Sequence, residues 1–150
     1  IKKNNAVFLD SLLREPYASD IVQITNKTCM RMDIIESLMK AHPAFAYFKI
    51  SLGASYLLSY YEDSDEYKTH TDSSIYTWLI WLYQEPKRFT GGDLVLEEKE
   101  TIEFKKGRVV LFPGPTKHAV TPVKQTGVGE LPGRCVVSIF NTLANRDETY

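Results

Sequence analysis

At 150 residues and 17.2 kDa the chain can bury one core and is too short for two ordinary domains, so a single domain over 1–150 is expected. Eighteen basic against nineteen acidic residues, with a sequence pI near 6.4, exclude a long-range pull on nucleic acid; 43% hydrophobic and 25% charged content excludes a disordered chain. No stretch reaches the roughly 18 apolar residues that cross a bilayer, so no membrane partner is expected. Cys29 and Cys135 stand far apart with no CxxC, which argues against a disulfide scaffold or thiolate zinc site and for two free thiols. The chain begins at Ile1 without a signal-like segment, and a processed or trimmed cytoplasmic protein is expected.

Residues 1–45 read as a helical and irregular cover. A helix around Ser19–Cys29 has weak periodicity and carries Thr25 and Thr28. Ile34, Ile35, Leu38 and Met39 recur at helical spacing, Asp33 and Glu36 resemble a capping box, and Pro43 ends the pattern. From Ala54 onward the period changes to two. Strands are expected near 54–61, 74–83, 93–98, 101–105, 108–112, 118–123 and 134–141, with turns at Gly91-Gly92-Asp93, Lys99-Glu100, Lys106-Gly107 and Pro113-Gly114-Pro115. No helical pattern separates these strands, so the chain is mainly β, an antiparallel sandwich or barrel with N-terminal supporting helices. The 127–133 segment, rich in Gly and polar residues, reads as a solvent-facing insertion, and the first 45 residues with Asp63–Glu66 as material for a lid.

The chemistry-bearing residues are His70-Thr-Asp72, His118 and Arg134. The 70/72 spacing puts an imidazole and a carboxylate on one face of an extended segment, and a barrel brings His118 in from a neighbouring strand. Two imidazoles and one carboxylate bind Fe(II) on one face and leave positions open for a chelating cosubstrate and O₂. A histidine and an aspartate that only hydrogen-bond each other are the alternative. In the last strand Arg134, Val136, Ser138 and Phe140 alternate with Cys135, Val137, Ile139 and Asn141. If the first set faces inward, Arg134 is a buried charge in need of a carboxylate, and its planar fork suits a dicarboxylate ligand. Pairing with Glu130 or with solvent is the competing reading. Tyr60, which shares a strand face with Tyr56 and Leu58, could donate to the same ligand carboxylate; Tyr67 could pack under the metal histidines.

These residues resemble the 2-oxoglutarate- and Fe(II)-dependent dioxygenases, in particular the prolyl 4-hydroxylase-like branch. The agreement runs through 54–141: Tyr60, Tyr67-Lys-Thr-His70-Thr-Asp72, Trp81-Leu82, Phe89-Thr-Gly91-Gly92-Asp93-Leu94, Gly107-Arg-Val-Val-Leu-Phe112-Pro113, His118-Ala-Val-Thr-Pro122-Val123 and Gly133-Arg134-Cys-Val-Val-Ser138. The resemblance implies a double-stranded β-helix, or cupin-like jelly roll, over 54–141. It implies that His70, Asp72 and His118 ligate iron, and that Arg134, assisted by Tyr60, holds the distal carboxylate of 2-oxoglutarate. Leu79 and Val136 would line the cosubstrate pocket, and Trp81 would form a wall of the substrate entrance. It further implies hydroxylation of an unactivated C–H bond with succinate and CO₂ as co-products, O₂ as second cosubstrate and ascorbate as a reductant. The favoured partner is a proline-containing peptide, with a free amino acid or other small molecule as the alternative, and a non-catalytic metal-containing binding module as the other. Two departures stand out: the clamp is Arg134 where collagen-type enzymes use Lys, and the 127–133 insertion lengthens the interval from His118 to Arg134. A nucleic-acid demethylase of related chemistry fits less well, since no second arginine follows Arg134 until Arg146.

Overall fold

The computed structural model describes residues 3–15, 18–50 and 52–143, so Arg146 lies outside the described residues. In chain order the elements are β1 (Asn5–Phe8), α1 (Leu9–Leu12), α2 (Asp20–Cys29), α3 (Met32–Ala41), a 3₁₀ segment (Pro43–Lys49), β2 (Leu52–Tyr61), β3 (Tyr67–His70), β4 (Tyr76–Leu82), β5 (Phe89–Gly91), β6 (Leu94–Leu96), β7 (Glu100–Ile102), β8 (Val109–Pro113), β9 (His118–Val120), β10 (Val123–Gln125) and β11 (Arg134–Leu143). The strands are antiparallel. A five-stranded sheet runs β1-β2-β11-β4-β8, a four-stranded one β3-β9-β6-β7, and β10 pairs with β5. Neighbours in each sheet are mostly distant in sequence. This is the mainly β, jelly-roll arrangement with N-terminal helices expected from the sequence.

Strand β11 is central because its sequence, RCVVSIFNTL, is rich in β-branched and aromatic residues and contains neither Gly nor Pro. Both its faces are covered, which a strand buried on two sides requires of its side chains. Arg134 stands opposite Tyr61, Val136 opposite Ser59 and Trp81, and Ser138 opposite Leu57 and Leu79. These residues face inward, toward a core that includes Leu79, Trp81, Leu94, Phe104, Phe112, Val120 and Val136. The other parity faces outward: Tyr56, Trp78 and Ile139 pack with Leu9, Val22 and Cys29 under the helices, and burial pushes the Cys29 thiol up to about 11.

The helices differ from expectation in one cap. In α2 the Thr25 and Thr28 hydroxyls donate to the Ile21 and Ile24 carbonyls at 2.7 and 2.8 Å, which lets both threonines sit within the helix. In α3 the N-cap is Arg31 with no side-chain cap bond. Asp33 forms no capping box, because it sits inside the first turn rather than at the cap; the Arg31 guanidinium binds it at 2.6 Å, and that hydrogen bond draws its carboxyl below the usual range. Pro43 does end α3, and starts the 3₁₀ segment.

Three short strands were not expected: β1, β3 and β5. Each is three or four residues long, too short for a period to register. The strand expected over 118–123 is two, since Pro122 has no N–H to donate to a ladder and separates β9 from β10. Asp63–Glu66 is not a lid. Ser64 N–H donates to the Val123 carbonyl at 2.8 Å, Val123 N–H to that of Asp65 at 2.9 Å, and Gln125 N–H to the Asp63 carboxylate at 2.8 Å, pinning the turn to β10. No helix among the described residues is long and apolar enough to cross a membrane.

Candidate metal centre

Sheet register brings the first two donors together: His70 at the end of β3 is the direct cross-strand partner of His118 at the start of β9. Their rings lie 4.1 Å apart, with Tyr67 stacked on His70 at 3.5 Å and Phe112 against His118 at 4.8 Å. Asp72 follows on the loop after β3, where its N–H donates to the Gly114 carbonyl at 2.8 Å. Gly114 can serve there because it has no Cβ; one would stand 1.9 Å from the Ser74 carbonyl oxygen. Asp72 Oδ1 is 3.7 Å from His70 Nε2, and Oδ2 is 3.5 Å from His118 Nε2. Those separations are too long for hydrogen bonds, and the three donor atoms lie within 4.8 Å of one another, as ligands of one ion would.

The ring orientations fit that role. His70 Nδ1 lies 2.8 Å from the Lys68 carbonyl and His118 Nδ1 2.9 Å from that of Thr116. A carbonyl can only accept, so each Nδ1 carries the proton and each Nε2 presents its lone pair to the centre. Thr77 Oγ1 donates to Asp72 Oδ2 at 2.6 Å, and Ser74 Oγ is 2.9 Å from Thr77 Oγ1. This hydroxyl pair fixes the carboxylate without adding charge. Neither Ser74 nor Thr77 carries any motif signal; only the inward parity of β4 could have singled out Thr77.

Arg134 lines the same cavity. It is 1% exposed. Its Nε donates to the Gly92 carbonyl at 2.9 Å, and the guanidinium lies over Tyr61 and Phe104 at 4.6 and 4.7 Å from the ring centres. Gly92 permits the approach, since a Cβ there would meet Arg134 Cδ at 2.8 Å. Nη1 is buried without a hydrogen-bond partner, and among the described residues no carboxylate forms an ion pair with Arg134; Glu130 is exposed. Desolvation pulls the Arg134 pKa down to about 10, partly offset by Tyr61, so the group remains a cation at neutral pH. A buried cation with an open donor is the complement of a ligand carboxylate.

The family model described as 2OG-Fe(II) oxygenase superfamily matches residues 56–141, which contain all four of these residues. The chain belongs to that superfamily. A PKHD-type hydroxylase of Saccharophagus degradans is 33% identical over 86 residues, 54% of this chain and 33% of that protein, so the chain spans about a third of the length of the curated relative it matches. Among solved structures, the viral collagen prolyl hydroxylase of Paramecium bursaria Chlorella virus-1 has a TM-score of 0.60 at 16% identity, covering 95% of this chain and 80% of that one. The Pseudomonas putida prolyl-4-hydroxylase has a TM-score of 0.57 at 13% identity, covering 97% and 74%. At such identities the likeness carries the shared fold.

Within this 2-oxoglutarate oxygenase fold, Leu79 and Val136 line the cavity with the three donors and Arg134. Two expected positions fall elsewhere. Tyr60 is on the outward face of β2, where its hydroxyl accepts the Gly133 N–H at 2.8 Å; the cavity tyrosine is Tyr61, because one step along a strand reverses the face. Trp81 is fully buried, stacked on Phe104 at 4.8 Å behind the arginine, and so forms no wall of an entrance. Tyr61 and Phe104 join Ser74 and Thr77 among the site residues that sequence reasoning missed. The strict Arg134–Tyr61 pairing was available only once the register of β11 on β2 was known.

Proposed function

We propose that the protein is an Fe(II)- and 2-oxoglutarate-dependent hydroxylase acting, as a single domain over 1–150, on an unactivated C–H bond of peptidyl proline. The observation that carries this reading is the pairing of two features in one cavity: a two-histidine, one-carboxylate donor set and a buried arginine with an unpartnered Nη1. His70, Asp72 and His118 would hold Fe(II), for which neutral Nε2 donors and a carboxylate are a fitting set. Arg134 would bind the distal carboxylate of 2-oxoglutarate, and its Gly92 and aromatic contacts orient the guanidinium in advance. Leu79 and Val136 would exclude water from the cosubstrate's methylenes.

Bound iron with 2-oxoglutarate and O₂ supplies the oxidising chemistry, with succinate and CO₂ as co-products and ascorbate maintaining the ferrous state. The chain's own part is to position and to shield. The backbone carbonyls of Lys68 and Thr116 keep both imidazoles in the liganding tautomer, Thr77 holds Asp72, and Arg134 sets the direction of the cosubstrate. The hydroxylase named among the relatives and the prolyl hydroxylases named among the solved structures support proline as the first substrate to try. A cytoplasmic setting accords with the free thiols of Cys29 and Cys135.

The test is incubation of purified protein with Fe(II), ascorbate, 2-oxoglutarate and a proline-containing peptide library. Iron- and 2-oxoglutarate-dependent succinate release with a 16 Da gain on proline is expected. Oxidation of free amino acids with every peptide untouched would replace the peptide reading by a small-molecule one.

A further inference from the structure

The metal cavity continues into an open groove. Asp72 and Phe140 line both, and the groove's other walls include Phe8, Ser55, Ser73 and Thr142. Strand register explains the assembly: Phe8 on the edge strand is the partner of Leu57, and Ser55 of Phe140 on the central strand, so all three stand on the inner face of the five-stranded sheet. The Phe8 and Phe140 rings lie 6.4 Å apart at 48°, and Phe8 remains 46% exposed. An aromatic pair left open to solvent next to a reaction centre is an unfinished contact.

The groove's chemistry restricts its occupant. Among the described residues no lysine, arginine or histidine lines it, while Asp72 does and Asp10 stands behind Ser55, taking the Ser55 hydroxyl at 2.5 Å and the Tyr56 N–H at 2.9 Å. An anionic segment finds no counter-charge among these described residues. With its proton directed at Asp10, Ser55 Oγ keeps lone pairs to accept an N–H, and Thr142 and Ser73 add exposed hydroxyls. At about 290 Å³ the groove stands at the lower end of the range of small-ligand sites, room for a side chain and the main chain beside it.

We propose that Phe8 and Phe140 form the platform on which the prime substrate, an extended peptide, seats an uncharged apolar side chain or ring next to the residue being oxidised, with its main chain bonded by the groove hydroxyls. This rests on the hydroxylase reading above and adds a determinant of specificity from β1, which lies outside the span of the family match.

The test uses the chain loaded with Zn(II) and 2-oxoglutarate, a state inert to O₂, with ring-labelled phenylalanine observed by NMR. Decapeptides with a central Pro, Leu, Phe, Lys or Asp are titrated into the parent chain, Phe8→Ala and Phe8→Leu. Apolar-centred peptides are expected to move the Phe8 and Phe140 signals, to bind about fivefold or more weakly to Phe8→Ala and to recover part of that loss in Phe8→Leu, with 2-oxoglutarate affinity as the control on folding. Absence of peptide binding, equal binding of Asp-centred peptides, or unchanged affinity in both variants overturns the proposal. Failure of the hydroxylase reading looks different: no succinate from the iron-loaded parent, whatever the peptide.

Discussion

The two faces of the five-stranded sheet carry similar aromatic residues and treat their polar atoms in opposite ways. On the outer face, under the helices, partners are complete. Trp78 Nε1 donates to Asn141 Oδ1 at 2.9 Å, and the Tyr76 hydroxyl donates to the Ala44 carbonyl at 2.7 Å and accepts the Tyr47 N–H at 3.1 Å. On the inner face Trp81 Nε1 and Arg134 Nη1 are buried with no hydrogen-bond partner among the described residues, and three metal-donor atoms converge within 4.8 Å of one another. An unmade hydrogen bond in a buried site costs about 1–3 kcal/mol, more when the group is charged. The outer face is thus organised for stability, and the inner face holds valences open for ligands.

The sharpest way to break this contrast is to remove a donor. His70→Ala, Asp72→Ala and His118→Ala each delete a ligand, and the loss in Fe(II) affinity should exceed the roughly 10–100-fold typical of a supporting contact, with succinate formation falling to background. Metal titration together with a succinate assay reads both, and a variant that binds and turns over like the parent would remove its residue from the donor set.

Arg134→Met comes next and separates function from stability on the inner face. Cosubstrate affinity should fall by about 1.5–3 kcal/mol, tenfold to more than a hundredfold, on loss of a charge-assisted contact. The ligand-free protein should be no less stable than the parent, since a lone buried cation gives way to an apolar side chain of similar length. The penalty is fully present at neutral pH because the depressed value near 10 still leaves the group charged. Calorimetric 2-oxoglutarate binding beside a melting curve tests both halves; unchanged affinity with a lower Tm would make Arg134 a structural residue.

The same contrast explains what could be read from the residues beforehand. His70, Asp72, His118 and Arg134 were legible because chemistry restricts them to a few side-chain types in a fixed order. Tyr60 and Trp81 were misplaced because nothing local says which parity of a strand faces inward, nor how deep a position lies along it. In β2 both parities are aromatic, so Tyr60 and Tyr61 are equivalent until the pairing of Arg134 with Tyr61 selects one. Trp81 has the inward parity and still sits far from the mouth, with Phe104 between it and Arg134. The strands β1, β3 and β5 take their conformation from partners rather than from propensity, so β1, and with it Phe8, was hidden within a segment read as helical and irregular cover.

On the outer face the matching experiment is Asn141→Leu. It strips Trp78 Nε1 of its acceptor in a buried setting and should cost about 1–3 kcal/mol of stability. For a chain of this size that is roughly 2–4 °C in Tm per kcal/mol. Affinity for 2-oxoglutarate should stay at the parent's value, because Asn141 faces away from the cavity. A loss of cosubstrate binding as large as that of Arg134→Met would show that the faces are not independent.

Thr77 provides the smallest and most discriminating effect, because it lies on the inner face yet its hydroxyl is fully engaged. Its proton goes to Asp72 Oδ2 at 2.6 Å, so the 2.9 Å contact with Ser74 has Ser74 as the donor, and the chain of two hydroxyls ends on a metal-donor carboxylate. Thr77→Val keeps the shape and removes the donor, freeing Asp72 to rotate and leaving the Ser74 hydroxyl without its acceptor. Metal affinity should drop about tenfold, the lower end of what supporting contacts contribute. Thr77→Ser keeps the hydroxyl and should bind metal nearly as the parent does. If packing alone mattered, the order would reverse, with the isosteric valine tolerated and the serine, which leaves a methyl-sized void, the weaker variant. Titration of the two variants with Fe(II) under anaerobic conditions therefore decides whether Thr77 belongs to the stabilising organisation of the outer face or to the ligand-directed organisation of the inner one.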